Sequence, residues 1–422
     1  MSLMDSIRKT VSKEKIGEEN LFTPTYKTGF DIIDYRNGRI ESGDSIIGLD
    51  GGRILTIIGK SGSGKSSIAR QIAINIANNY DESQIIDMDF EKGMNLARIQ
   101  AFSGWDSETI EKKYMLLNRE ITSESLYKLV KSINKIKTDP NNWEELKIDT
   151  GKKDIHGNKI FTLPPSIIIV DSWALMVPKD ISEEEELSGS MSASSIAKTN
   201  NAIIKRIVGD LEAANIMLII INHITQKIEI GFSKTQAAVN YLKQDESLPG
   251  GSSAIYLSNT LLKIITSSKL DEKEGLGIKG FQCIGEFIKS RSNEAGRQFD
   301  LVFSQAEGFD NILTNFVILK NAGYLKGSPR GYYFEGAEDI KFTQKAFKEK
   351  YNSSEKLRKV FDKLVKELFI NYIPRPNGVG EIKYNTNEIT YELIDKEQDI
   401  WIGTDGKYYD KDHNEIEIEI EE

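Results

Sequence analysis

The residues Gly59, Lys60, Ser61, Gly62, Ser63, Gly64, Lys65 and Ser66 spell G-x-x-x-x-G-K-[ST] in full. That spacing makes a cradle for the phosphates of a nucleotide. Gly59, Gly62 and Gly64 let the backbone curl until its N–H groups converge on phosphate oxygens, and the helix that follows adds the positive end of its dipole. Lys65 would reach the β- and γ-phosphates, Ser66 would set its hydroxyl on Mg²⁺, and Ser67 closes the loop. An apolar run, "RILTIIG", precedes the motif and a helical one, "SSIARQIAINIANNY", follows it, which is the context the motif requires. ATP and Mg²⁺ are therefore the expected cofactors.

A magnesium ion held this way needs a carboxylate on a neighbouring strand, and "SIIIVDSW" ends a buried run with Asp171, followed by Ser172. Hydrolysis further needs a group that orients or activates water. "QIIDMDFEKG" offers Asp87, Asp89 and Glu91. Alternation puts all three on one side of an extended strand, so spacing cannot choose among them.

These residues need a scaffold, and the chain spells one. "RILTIIG", "QIIDMDF", "SIIIVDS", "NIMLIIIN", "NTLLKIIT" and "CIGEFIKS" are near-continuous apolar runs separated by helical patterns. Such runs belong to a sheet buried on both faces, so the fold class is α/β with a mainly parallel central sheet flanked by helices. The core spans residues 26–325 and carries an expected insertion at about 104–163, where Gly157 and Asn158 suit a hairpin turn. Residues 1–25, with Met4, Ile7 and Val11 in helical spacing, read as a segment that docks on a neighbour. Residues 326–422 read as a small C-terminal α+β domain with an acidic tail, "EIEIEIEE".

With 422 residues and 39% hydrophobic content, the chain can bury a large core. Its formal net charge of −9 excludes a uniformly basic surface, so any nucleic acid must meet local cations or backbone amides. A single cysteine, Cys283, and three scattered histidines exclude a zinc cluster and an intrachain disulfide, in keeping with a cytoplasmic location. No apolar run is long enough to span a bilayer.

Over residues 26–369 the sequence resembles the RecA family of DNA strand-exchange ATPases, most closely the UvsX-type recombinases of bacteriophages. The stretches "KTGFDIIDYRNG" and "GLDGGRILTIIGKSGSGKSS" resemble the family's entry into its core, and "IIDMDFEKGMNLARI" its Asp-x-Glu segment. The resemblance gives the water-activating role to Glu91. The family's adenine-stacking tyrosine falls on or near Arg98, whose planar guanidinium could cover the base instead. "IIINHITQ" carries Asn222, His223 and Gln226 in the UvsX spelling, which makes His223 the sensor of the γ-phosphate.

The resemblance also implies two DNA-binding loops. The first, about 178–195, holds Ser188, Gly189, Ser190 and Met191, with Lys198 just beyond; the second, about 231–251, holds Phe232, Lys234, Gly250 and Gly251. Neither is rich in cations, but Gly and Ser expose backbone amides to phosphates. "GEFIKSRSNEAGRQF" resembles the segment that sends two cations, here Lys289 and Arg291, into a neighbour's ATP site, and Tyr256 falls at an interface position. The implied protein is a DNA-dependent ATPase. It would form a helical filament on single-stranded DNA, sample homologous double-stranded DNA, catalyse strand exchange and work beside mediator and single-strand-binding proteins in a host cell's cytoplasm. Two other functions share such a core: a hexameric ring helicase, and a slowly hydrolysing regulatory protein that binds single-stranded DNA.

Overall fold

A computed structural model of the chain describes residues 23–41, 44–153, 158–183, 189–226, 242, 246–250, 253–373, 391–395, 400–403, 408–409 and 415–416. Packing divides it into two units, residues 1–39 with 46–374, and residues 40–45 with 375–422.

The first unit is built on one nine-stranded sheet. Its strands are β1 (Ile54–Gly59), β2 (Gln84–Asp89), β3 (Tyr114–Leu117), β4 (Ser166–Asp171), β5 (Ile216–His223), β6 (Thr260–Leu270), β7 (Gly280–Ser290), β8 (Arg297–Ser304) and β9 (Gly308–Phe309). They lie in the order β9-β8-β7-β6-β1-β5-β4-β2-β3. The six from β6 to β3 are mutually parallel, and β7, β8 and β9 extend the sheet antiparallel. The apolar runs of the sequence supply these strands, and the architecture is a RecA-like α/β core.

Helices named below are α1 (Lys65–Ala77), α2 (Leu96–Ser103), α3 (Ser123–Lys137), α4 (Gly189–Ala213), α5 (Ser253–Leu257), α6 (Asn311–Asn321) and α7 (Glu355–Phe369). Strand periodicity splits the core between the two faces of the sheet. Ile167, Ile169, Met217, Ile219 and Ile221 pack with Ile68 and Ile72 of α1, while Ile168, Val170, Leu218 and Ile220 pack with Leu126 of α3 and Ile204 and Ile207 of α4. Each such side chain removed from water contributes roughly 1.5–3 kcal/mol, so the central strands are held from both sides.

Two expected boundaries move. Part of the stretch 104–163 belongs to the core. Tyr114–Leu117 is a strand of the sheet, and α3 belongs to the apolar cluster that covers one face. Only the hairpin Ile148–Lys153 with Lys159–Thr162 stands apart from the central sheet, and its turn at 154–157 lies outside the described residues. The boundary placed after residue 325 falls inside the first unit. Leu357, Phe361, Val365 and Phe369, at helical spacing on α7, join Phe316, Phe334, Phe342 and Phe347 in the cluster that also contains Ile68 and Ile72. An apolar stripe of that size closes against the core, and the unit ends near residue 374.

The second unit contains a four-stranded antiparallel meander of Tyr391–Asp395, Ile400–Gly403, Tyr408–Tyr409 and Glu415–Ile416. Most of the N-terminal segment, residues 1–22, and most of the acidic tail lie outside the described residues. Among the described residues no helix is long and apolar enough to cross a membrane.

Candidate nucleotide site

In an open parallel sheet, ligands meet the carboxyl ends of the strands, and the expected site residues gather there. β1 ends at Gly59, β2 at Asp89, β4 at Asp171 and β5 at His223. The register aligns these ends, pairing His223 with Gly59 and Asp171 with Asp89. Between β1 and α1, Lys60, Ser61 and Gly62 are exposed at the loop's tip while Ser63 and Ser67 are buried. Gly64 takes φ +87°, and a Cβ there would lie 2.8 Å from the Phe309 ring, so both backbone and space demand glycine. Lys65 arches back to donate to the Lys60 carbonyl at 2.8 Å. Burial pulls its ammonium below the ordinary lysine value, against the opposing attraction of Asp171 and Glu91.

The three acids that spacing could not separate take three different roles. Asp87 is buried and forms a forked ion pair with Arg70, 2.7 Å from Oδ2 to Nε and 3.1 Å from Oδ1 to Nη2. Asp89 accepts from the Met94 amide at 2.8 Å and so shapes the turn after β2. Glu91 lies beyond the strand. The amides of Phe90 and Glu91 donate to the Asp171 carbonyl at 2.7 and 3.2 Å, which carries the chain over the end of β4 toward β5. There Glu91 Oε1 meets His223 Nε2 at 2.6 Å. Asp87 and Asp89 are thus committed inside the core, and Glu91 alone of the three is half-exposed, beside the residue at the end of β5.

Three buried oxygens in this region, Ser63 Oγ, Asp171 Oδ1 and Ser172 Oγ, have no hydrogen-bond partner among the described residues. Leaving such an atom unsatisfied costs about 1–3 kcal/mol, so the donor set fits a bound polar ligand. Ser66, half-buried on the first turn of α1, and the free Oδ1 of Asp171 suit Mg²⁺, which takes few protein ligands and keeps water and phosphate oxygens. No cluster of three or more His, Cys, Asp or Glu side chains able to hold a metal occurs among the described residues. An ion held there would take the rest of its shell from water and the nucleotide. Arg98 is exposed on α2 with its guanidinium carbon 5.5 Å from the centre of the Phe102 ring, within cation–π range.

From His223 a chain of contacts leads to the base of the second expected loop. The His223 amide donates to the Asn222 side-chain oxygen at 2.9 Å, and Asn222 Nδ2 donates to the Pro249 carbonyl at 2.8 Å. Next along, the Gly250 carbonyl accepts from Trp173 Nε1 at 2.8 Å, two residues after Asp171. A short ladder pairing Thr225 with Ser247 and Gln226 with Glu246 closes the loop, and the buried Glu246 pairs with Lys263 at 2.8 Å. The loop itself, including Phe232, Lys234 and Gly251, lies outside the described residues, as does Ser188. Gly189, Ser190 and Met191 are backbone-helical at the start of α4, so the first loop ends earlier than its expected limit near residue 195. Ala and Met favour helix and no proline interrupts the run. Lys198 is exposed on the same helix.

Lys289 and Arg291 converge on α5. Lys289 Nζ donates to the carbonyls of Ile255 and Tyr256 at 2.9 and 2.6 Å, and Arg291 Nη2 reaches the Tyr256 carbonyl at 3.2 Å. The Tyr256 side chain is exposed beside them. Burial and the neighbouring guanidinium bring the Lys289 ammonium down to about 8. The two cations and the tyrosine therefore form one surface cluster.

The sequence reading missed Arg70. Its signal was a lone cation among Ile68, Ala69, Ile72 and Ala73 on the buried face of α1. Elsewhere, an apolar cavity of about 330 Å³ lies at the β3 edge between Met115, Ile133 and Ile136 and shares no residue with the phosphate loop.

No family model matches the chain. It is similar to the protein RecA of Aquifex aeolicus, with 26% identity over 186 residues, covering 42% of this chain and 48% of that protein. It is also similar to the RecA of Ectopseudomonas oleovorans, with 26% identity over 192 residues (44% and 51%), and to that of Aquifex pyrophilus, with 27% over 173 residues (40% and 44%). The chain thus spans about half the length of the curated relatives it matches, and over that stretch its sequence likeness and its fold both point to a RecA-like protein.

Proposed function

We propose that this chain is an ATP-dependent recombinase of the RecA kind that assembles on single-stranded DNA, with ATP and Mg²⁺ lying at the boundary between successive protomers. The observation that carries the reading is the Glu91–His223 contact beside the phosphate loop, joined through Asn222 to the base of the loop at Pro249. When bound, Mg²⁺ would draw charge off the transferring phosphoryl group. In the chain itself, Lys65 and the loop amides hold the phosphates, Asp171 and Ser66 orient the ion, and Glu91 orients the attacking water. His223 turns from Glu91 to the γ-phosphate, and Asn222 passes the change to Pro249 and Gly250.

Lys289 and Arg291 complete the site from the neighbouring protomer, so hydrolysis depends on assembly. A head-to-tail contact of this kind that does not close on itself yields an open helical filament. Pairing with homologous duplex DNA, strand exchange, help from mediator and single-strand-binding proteins and kinship with the phage UvsX type complete the proposal. The Asn222-His223 and Lys289-x-Arg291 spellings support that last point.

Electron microscopy with ATP and single-stranded DNA, coupled to a strand-exchange assay, tests the reading. Nucleotide-dependent filaments and joint molecules are expected. Closed rings would transfer the chain to the ring motors, and DNA binding without turnover would make it a regulatory binder.

A further inference from the structure

Arg70 is 1% exposed, and every nitrogen of its guanidinium donates a hydrogen bond. Nε and Nη2 fork onto Asp87 at 2.7 and 3.1 Å, while Nη1 reaches Asp171 Oδ2 at 2.8 Å and the Ser66 carbonyl at 3.2 Å. Tyr114 on β3 donates to Asp87 Oδ2 at 2.6 Å. The hydrogen bonds thus run from the edge of the sheet, through α1, to the carboxylate at the end of β4.

Two buried carboxylates face one guanidinium here, and the next positive charge is the Lys65 ammonium, which Asp171 attracts. A buried charge is costly unless it is paired or coordinates a metal. Arg70 occupies only Oδ2 of Asp171, and Oδ1 is the buried oxygen left without a partner. The same Nη1 holds the backbone of Ser66, the other residue assigned to the ion.

We propose that Arg70 is a positioning residue for the magnesium site: it grips Asp171 and Ser66 together from inside the core and presents Asp171 Oδ1 to the ion. This rests on the reading of Asp171 and Ser66 as metal-holding residues. An Asp at a strand end would otherwise rotate among rotamers, and ordering it would count against the ion at the moment of binding. The fork to Asp87 keeps Arg70 itself from turning away. A lysine could satisfy one carboxylate but not brace both, because it lacks the planar fork.

The test is Mn²⁺ binding to the full chain with a non-hydrolysable ATP analogue, read as free Mn²⁺ by electron paramagnetic resonance. Nucleotide affinity in EDTA and thermal midpoint are recorded beside it. Arg70→Lys is expected to weaken Mn²⁺ by about 10–100-fold, the usual cost of losing an outer partner of a metal ligand, while metal-free nucleotide affinity changes less than about twofold. A lowered midpoint with unchanged Mn²⁺ affinity would mean that Arg70 only supports the fold, and would overturn the proposal. Asp171→Asn separates the two levels. If it leaves Mn²⁺ affinity intact, the metal reading itself is wrong; if it abolishes binding while Arg70→Lys does not, only the role of Arg70 fails. Should Arg70→Lys not fold, Asp87→Asn keeps the side-chain volume, frees Arg70 from its fork and throws its whole charge onto Asp171. Several-fold weaker Mn²⁺ is expected there, and no change would overturn the proposal.

Discussion

Glu91 and His223 are separated by 132 positions in the chain, yet His223 Nε2 lies 2.6 Å from Glu91 Oε1. The contact joins a side chain that can activate water to one that can donate to a phosphate, and neither can do both while paired with the other. On the proposed reading, nucleotide competes with Glu91 for His223. Glu91→Gln keeps a hydrogen-bonding partner for the imidazole and removes the base. ATP turnover should fall by about 10²–10⁴, the usual contribution of general acid–base catalysis, with ATP-dependent filaments retained. Equal loss of filaments and turnover would contradict the division of roles.

Lys65→Ala removes the buried ammonium from the phosphate loop. A hydrogen bond to a charged group contributes roughly 1.5–3 kcal/mol, so nucleotide affinity should drop by about 10–100-fold, and nucleotide-dependent assembly with it. Fluorescent-nucleotide titration and light scattering check both. Normal assembly by this variant would remove the phosphate assignment.

The role proposed for Lys289 predicts assembly that is sensitive to alkali. Its ammonium titrates at about 8, whereas an ordinary lysine holds its proton to about 10.4. Above that value the cation that the proposal offers to a neighbour's phosphate would be lost. ATP-driven filament mass should decline as pH rises through 8, or somewhat higher because the phosphate itself favours the charged form. Stability of the single protomer has the opposite sign: between about 8 and 10.4 the unfolded chain binds more protons than the folded one, so this residue's contribution rises with pH. Lys289→Arg should flatten the assembly curve in sedimentation measured from pH 7 to 9.5. A persistent decline in that variant would point to another group.

Gly250 sits at φ +88°, and a Cβ there would lie 2.7 Å from Trp173 Cδ1. Gly250→Ala combines left-handed strain with a clash and should cost about 1–3 kcal/mol locally. The predicted outcome is loss of DNA stimulation of the ATPase with nucleotide binding intact, measured by turnover with and without oligonucleotide. Unaltered stimulation would detach this end of the loop from the coupling path.

Much of this protein was readable from its residues because the physics involved is local. The glycine-rich turn between β1 and α1 is a short consecutive motif whose conformation depends on nearby backbone. The central strands announce themselves because a sheet buried on both faces leaves almost no polar positions. Boundaries were less legible. The stripe Leu357, Phe361, Val365 and Phe369 says that α7 buries one face, but not against what, and it closes on the core cluster. The short strand Tyr114–Leu117 lacks the long apolar run of its neighbours because it lies at the sheet edge.

Sequence alone determined where the glycine-rich motif Gly59–Ser66 lies and which apolar runs become the strands of the central sheet. Tertiary structure alone decided how the acids divide. Asp87, Asp89 and Glu91 share one spacing pattern, and nothing in that pattern says that Arg70 claims the first, the Met94 amide the second and His223 the third. Partners of that kind are brought together by strand order and register, which depend on long-range packing, and a carboxylate's chemistry is set by the partner it meets.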